Sequence, residues 1–273
     1  DSIHHSSFQI STEWMNTSFD QRAAVLNDVA NSLESQSWQF IYLLMHEAGK
    51  TIQDAHDEIR EAVDFLRYYA NRSALFNSQS TQSGPTGEDN ILEYCPKGLV
   101  ACISPWNFPL AITLGQIAAA LVTGNTVIAK ASEETSLIAF KAAGLFFNHG
   151  LPKDALHLLL GDGRVGQAII TSQALDLVVF TGSLKTAKSI HNSLSNKPGK
   201  IVPLIAETGG LNSMVVDSSA LIERACDDIM RSAFNSAGQR CSALRLLLVH
   251  ETIYDELILM LKGMMSELIV GNP

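Results

Sequence analysis

Apolar residues repeat at helical spacing in the first quarter of the chain and gather into short unbroken runs after residue 90. Val25, Leu26, Val29 and Leu33 lie on one helical face, as do Ile52, Ala55, Ile59, Ala62, Val63, Leu66 and Tyr69, so residues 19–76 are predicted to be helices. Gly49 divides two of them at the place a helix-ending glycine takes. Residues 77–90, NSQSTQSGPTGEDN, are polar and rich in turn formers and are read as a loop. The texture then changes. LVACIS precedes a helix from about 109, TVIAK one from about 134, ALHLLL one from about 164 and LDLVVF one from about 184, and IVPLIAE closes the series. Near-continuous apolar strands alternating with helices predict a Rossmann-like parallel sheet of about five strands with helices on both faces. From residue 209 a second α/β unit is expected. Its strand SMVVD leads to a helix with Ile222, Ala225, Cys226, Ile229, Met230, Ala233 and Phe234 on one face, stopping at Gly238. A strand, LRLLLV, and a helix from about 254 follow.

The division is therefore 1–208, N-terminal helices plus a nucleotide-binding sheet, and 209–273, the opening of a second domain. Gly271-Asn272-Pro273 spells a turn, and the last helix has little left to pack against, so a truncated chain is expected. Of the 273 residues, 46% are hydrophobic and 17% charged, enough apolar material for a packed core and too little charge for disorder. The net charge of −9 argues against nucleic acid, because an acidic chain gains nothing from counterion release on a phosphate backbone. The apolar stretch 108–123 is interrupted by Gly115 and Gln116, too short and mixed to span a bilayer, and is read as a buried helix. No secretory leader pattern opens the chain. Cys95, Cys102, Cys226 and Cys241 fit neither a zinc site nor a disulfide framework. The expectation is a cytoplasmic chain with free thiols and no metal.

Several residues could carry chemistry. Cys241, in AGQRCSALR, lies at a polar junction just past a helix, beside Arg240, where a cationic side chain turned inward would favour the thiolate. A buried, inert cysteine is the alternative, and Cys226 on its apolar helix face illustrates it. Glu207, in LIAETGG, ends a parallel strand where such sheets bind ligands and could act as a general base; a solvated strand-end glutamate is equally consistent. Asn107, in ISPWNFP, is held between Pro105 and Pro109, and a rigid amide is a good oxyanion donor as well as a plausible helix cap. Gly161-Asp162-Gly163-Arg164-Val165-Gly166 spells a dinucleotide fingerprint. It follows the third strand, however, and no carboxylate ends the next one, so its glycines could serve only a tight turn and close helix packing. Lys130 and Glu133, after TVIAK, suit contacts to a nucleotide ribose or form a solvated pair.

Taken in order, ISPWNFP, TVIAKASEET, VVFTGS, LIAETGG and GQRCSALR, with HEAGKT upstream, resemble the aldehyde dehydrogenase superfamily over nearly the whole chain. The wording CISPWNFPLAI, AETGG and SAGQRCSALR is most similar to the glutamate γ-semialdehyde (pyrroline-5-carboxylate) dehydrogenase module of bifunctional proline-utilisation flavoproteins. The resemblance implies an NAD-dependent enzyme with Cys241 as nucleophile, Asn107 and the Cys241 backbone N–H as oxyanion donors, and Glu207 as general base. It places Ile103, Ser104, Pro105 and Trp106 beside the nicotinamide, and Lys130 and Glu133 at the adenosine ribose. Ser183 falls at the pyrophosphate, with Gly166, Phe180 and Gly182 also around the cofactor, and Ser242 at the substrate carboxylate. Residues 87–100 become part of an oligomerisation hairpin, implying a homo-oligomer. FAD belongs only to the proline dehydrogenase module of such proteins. Later family motifs, including a second glutamate and a carboxylate-anchoring loop, fall beyond residue 273. Two alternatives stand beside this reading: a dehydrogenase of another small semialdehyde such as succinic semialdehyde, and a folded but inactive fragment.

Overall fold

The computed structural model describes residues 8–76 and 80–273. A short helix, α1 (Thr12–Asn16), leads into three longer ones: α2 (Phe19–Ser35), α3 (Ser37–Ala48) and α4 (Ile52–Arg72). Gly49 takes φ 61° after α3, a left-handed turn that a side chain would strain. The stripe of α4 lies inward as its spacing predicts, with Ala55, Ile59, Ala62, Val63 and Leu66 buried. Burying each of its larger side chains contributes on the order of 2 kcal/mol. Glu58 breaks that stripe, and it is buried too.

A five-stranded sheet follows, built from β3 (Leu99–Ile103), β4 (Thr126–Lys130), β5 (Leu156–Leu159), β6 (Leu177–Gly182) and β7 (Leu204–Thr208). Its order is β5-β4-β3-β6-β7, every pair parallel, with the first of these strands at the centre. The crossovers carry α5 (Ala111–Val122), α6 (Ser136–Asn148), α7 (Gly163–Thr171) and α8 (Leu184–Ser195). β3 and β4 are buried at every position because both faces are covered. One core joins α2, α4, α5 and α6 to one face, and a second joins α7 and α8 to the other. α5 is buried along most of its length, as expected of 108–123, and no helix among the described residues is long and apolar enough to cross a membrane.

The second unit pairs β8 (Asn212–Val216) with β9 (Leu244–Val249) in parallel, flanked by α9 (Ile222–Phe234) and α10 (Tyr254–Ser266) around their own core. The pairing steps from Asn212–Leu244 to Ser213–Leu246, leaving Arg245 as an extra residue on β9, a bulge of the kind often found beside active sites.

Three boundaries differ from the sequence reading. Residues 77–90 are not loop throughout: β1 (Ser80–Gln82) pairs antiparallel with β2 (Asn90–Leu92), while 77–79 lie outside the described residues. Short, largely exposed strands show no inside–outside alternation, so only their turn residues were legible. This hairpin covers 80–92, so it takes in only the first part of 87–100, whose end, Leu99 and Val100, belongs to the central strand of the main sheet. Finally, α9 ends at Phe234, where its apolar stripe ends. Ser236, Ala237 and Gly238 that follow all have left-handed backbone, at φ 54°, 53° and 68°.

Candidate active site

Strand register sets the site. In the sheet Ile103 pairs with Lys130 and with Phe180, and Thr181 pairs with Glu207, so the carboxyl ends of β3, β4, β6 and β7 form one row. Ligands of open parallel sheets bind outside this edge. A cavity of about 480 Å³ opens there, bounded by the β3–α5 junction, the ends of β6 and β7, and the loop between α9 and β9. Pro105, Trp106, Asn107, Gly182, Ser183, Glu207 and Cys241 all line it. Seven of the residues singled out in sequence, spread over more than half the chain, therefore meet at one place.

The remaining ones do not line this cavity. Ile103 and Ser104 are buried just behind it; Ser104 Oγ accepts a 2.6 Å hydrogen bond from Thr113, fixing the start of the β3–α5 junction. Phe180 is buried, and its ring occupies the space a Cβ on Gly182 would need, 2.6 Å away, so Gly182 allows the strand to end tightly over it. Lys130 and Glu133 lie along the same sheet edge, joined by a 3.1 Å ion pair; Lys130 is buried and Glu133 exposed. The Glu133 carboxyl is held below its usual range by its own backbone N–H and then by Lys130. Ser242 is exposed next to Cys241.

The glycine fingerprint divides. Gly161 has φ 139° and needs to be glycine. Gly163 and Gly166 have nothing within 4 Å of a hypothetical Cβ, so close helix packing is not their reason. They instead leave the first turns of α7 open. Asp162 caps α7 through Arg164 N–H at 2.9 Å. Ser183 caps α8, accepting from Thr186 N–H at 3.1 Å, and so stands at the positive end of a 12-residue helix facing the cavity.

The thiols sort by burial. Cys102 sits inside β3, where burial pushes its thiol up to about 12; burial also raises Cys226. Cys95 and Cys241 are exposed. Arg240 does not turn toward its neighbour Cys241: its Nη2 lies 3.7 Å from Asp54 Oδ1, and its guanidinium is 5.3 Å from the centre of the Phe108 ring. The carboxylate of Asp54 holds the guanidinium there. Asn107 Nδ2 donates to the Gln239 carbonyl at 2.6 Å, which ties the β3–α5 junction directly to the Cys241 loop and occupies one of the two amide hydrogens.

Residues not singled out from sequence hold this loop. Asn212 Nδ2 donates to the carbonyls of Cys241 (2.7 Å) and Ala243 (2.9 Å), and Arg245, the bulged residue, donates to the Gly238 carbonyl at 2.6 Å. Gln116 donates to Thr181 Oγ1 at 3.0 Å below the cavity floor. Polar contacts to backbone carbonyls leave no periodic signature, so nothing in the pattern pointed to Asn212. Glu58, a carboxylate within an apolar stripe, did carry a readable signal.

A doubly covered parallel sheet that passes into a second α/β unit across a cleft containing an exposed cysteine is the aldehyde dehydrogenase fold. The chain belongs to the aldehyde dehydrogenase family, which it matches over residues 3–273. Within that family it is 46% identical over 265 residues to bifunctional protein PutA of Klebsiella aerogenes, covering 95% of this chain and 19% of that protein. It superposes on a point mutant of Bradyrhizobium japonicum proline utilization A (PutA) with TM-score 0.94 and 52% identity, over 96% of this chain and 27% of the other. On 1-pyrroline-5-carboxylate dehydrogenase from Thermus, solved with bound NAD, the TM-score is 0.92 at 30% identity, over 95% of this chain and 51% of that one. The chain thus spans about a fifth of the curated PutA sequence and about half of the Thermus dehydrogenase.

Proposed function

We propose that this region serves NAD-dependent oxidation of L-glutamate γ-semialdehyde to L-glutamate, with Cys241 as nucleophile. The single observation that carries the reading is the meeting of Cys241, Asn107 and Glu207 in one cavity at the carboxyl edge of a parallel sheet. The Cys241 thiolate adds to the aldehyde carbon, forming a thiohemiacetal. The developing oxyanion is held by the Asn107 amide and the Cys241 backbone N–H. Each such donor stabilises the transition state by roughly 3 kcal/mol where comparable donors have been removed. Glu207, reaching in from the end of β7, takes a proton from the water that hydrolyses the thioester.

The residues present fit NAD. Gly163 and Gly166 leave open backbone at the start of α7, Ser183 sits at the N-terminus of α8 where a pyrophosphate charge is favoured, and the ionised Glu133 suits two ribose hydroxyls. Trp106 and Pro105, which line the cavity, are assigned to the nicotinamide. When bound, NAD supplies the hydride acceptor that turns thiohemiacetal into thioester. The similarity to PutA and to a pyrroline-5-carboxylate dehydrogenase supports the choice of semialdehyde, and Ser242 is assigned to its carboxylate. Oligomerisation through the β1–β2 hairpin, where Ile91 and Leu92 are exposed, belongs to the same proposal.

The test is steady-state oxidation of a panel of semialdehydes by the full-length protein with NAD. The highest kcat/KM is expected for glutamate γ-semialdehyde. A higher value for succinic semialdehyde would overturn the substrate assignment, and no turnover in a Cys241→Ala variant is required.

A further inference from the structure

Helix α5 starts without help from its own sequence: its cap position is Leu110, which offers no side-chain acceptor for the free N–H groups of the first turn. Glu58 of α4 supplies one from outside. Its Oε1 accepts from Leu110 N–H at 2.8 Å and Ala111 N–H at 3.2 Å, and its Oε2 lies 2.9 Å from Lys50 Nζ, an ion pair without hydrogen-bond alignment. Both side chains are buried. Burial pushes the Glu58 carboxyl up, against the pull of Lys50 and of the two N–H donors. A buried pair of this kind is weak support for stability, since apolar replacements of similar volume are often neutral or better. Its position suggests another use.

The start of α4 and Lys50, two residues ahead of it, reach both halves of the candidate site. Lys50 Nζ stands 3.7 Å from the centre of the Phe108 ring, next to Asn107, while Asp54 pairs with Arg240, next to Cys241. The Arg240 guanidinium meets the same ring at 5.3 Å. Two cations from different elements thus share one aromatic face system, each anchored by a carboxylate of α4. The Asn107–Gln239 hydrogen bond closes the circuit between the two loops.

We propose that Lys50, Glu58, Asp54 and Arg240 are positioning residues, which set the Asn107 amide and the Cys241 thiol against each other through Phe108. This deepens, and rests on, the assignment of those two residues as oxyanion donor and nucleophile. None of the four positioning residues enters the bond-making steps.

The experiment uses the full-length protein and two independent readouts: NAD-dependent semialdehyde oxidation, and the rate of Cys241 alkylation by iodoacetamide without substrate, followed by mass mapping. Glu58→Leu, which loses the acceptor, is expected to lower kcat about a hundredfold, as displacement of a catalytic group by ~1 Å can do, and to change the KM for NAD by less than about twofold. Glu58→Gln retains an oxygen acceptor and should recover kcat to within about fivefold of the unmodified protein. A role in packing alone would leave kcat of any folded variant near its original value. A Glu58→Leu protein that melts above the assay temperature with kcat and alkylation rate within about threefold of the original overturns the proposal. Should Glu58→Leu fail to fold, Asp54→Asn decides: it retains the Thr51 contact but removes the charge facing Arg240. An alkylation rate shifted by at least about threefold supports positioning, and an unchanged rate overturns it. If the unmodified protein oxidises no semialdehyde while the variants still shift Cys241 alkylation, the activity assignment fails and the positioning stands.

Discussion

Replacing Ala237 by glycine should stabilise the protein, whereas replacing its neighbour Gly238 by alanine should destabilise it. Both residues have left-handed backbone, at φ 53° and 68°. For a residue with a Cβ this conformation costs about 1–2 kcal/mol, which Ala237→Gly removes. The exposed Ala237 methyl loses little burial on deletion. Against the gain stands the extra freedom glycine gives the unfolded chain, about 0.4–1 kcal/mol. The net expectation is stabilisation by roughly 0.5–1 kcal/mol. Gly238→Ala reverses every sign: it imposes the left-handed penalty and places a Cβ 2.7 Å from the backbone oxygen of Ala233, and the reduced freedom of the unfolded chain offsets only about 0.4–1 kcal/mol of this. That contact is to backbone and cannot swing away, so a loss of about 2 kcal/mol or more is expected. Urea unfolding by fluorescence gives both differences from the shift in midpoint at constant slope. Hydrogen exchange of the amides at residues 239–242 should slow in Ala237→Gly, because the strained turn leads straight into the Cys241 loop. If Ala237→Gly destabilises, the turn is not left-handed, and the account of how the loop is held by Asn212 and Arg245 falls with it.

Other outcomes follow from the same geometry. At pH 7.5 and limiting iodoacetamide, Cys241 should be alkylated first, while Cys102, buried inside β3 with its thiol pushed up by that burial, should stay unlabelled; mass mapping that finds exposed Cys95 modified ahead of Cys241 would count against a special role for the latter. In the full-length enzyme Glu207→Gln should leave a rapid burst of reduced cofactor followed by a slow steady state, and losing both together would place Glu207 in an earlier step. Asn212→Ala removes two hydrogen bonds to the Cys241 loop and should cost about 1–2 kcal/mol by thermal unfolding, with faster exchange confined to that loop; an unchanged melting temperature would show the tether to be idle. NAD should bind about tenfold more tightly than NADP, since a 2′-phosphate would face the Glu133 carboxylate at the cost of a hydrogen bond, with Lys130 recovering part of the loss; equal affinities by calorimetric titration would mean that Glu133 points away from the ribose.

The parallel sheet was legible because fully covered strands must be apolar throughout: β3 and β4 are buried at every position, and LVACI and TVIAK show it. Register then does what composition alone does not. Once β3, β4, β6 and β7 are in parallel and in step, Ile103, Lys130, Thr181 and Glu207 fall at one edge whatever their separation in sequence. Candidates chosen on local grounds could therefore converge. What sequence did not show were interactions whose cause lies in a distant segment. Arg240 seemed available to Cys241 because the two are adjacent, yet a residue almost two hundred positions earlier, Asp54, competes for its charge. Gly166 fits a packing role by motif but has open space above it, which only the placement of neighbouring elements decides. The left-handed turn at Ser236 and Ala237 is the sharpest case, since neither residue type advertises that conformation. It persists because tertiary contacts over-determine it: Arg245 grips the Gly238 carbonyl from a bulge, and Asn212 grips the Cys241 carbonyl from the facing strand. Strain of that kind is stable only where something else holds both ends. That the one such run of non-glycine residues among those described lies just ahead of Cys241 is a physical reason to place the chemistry there, independent of any motif.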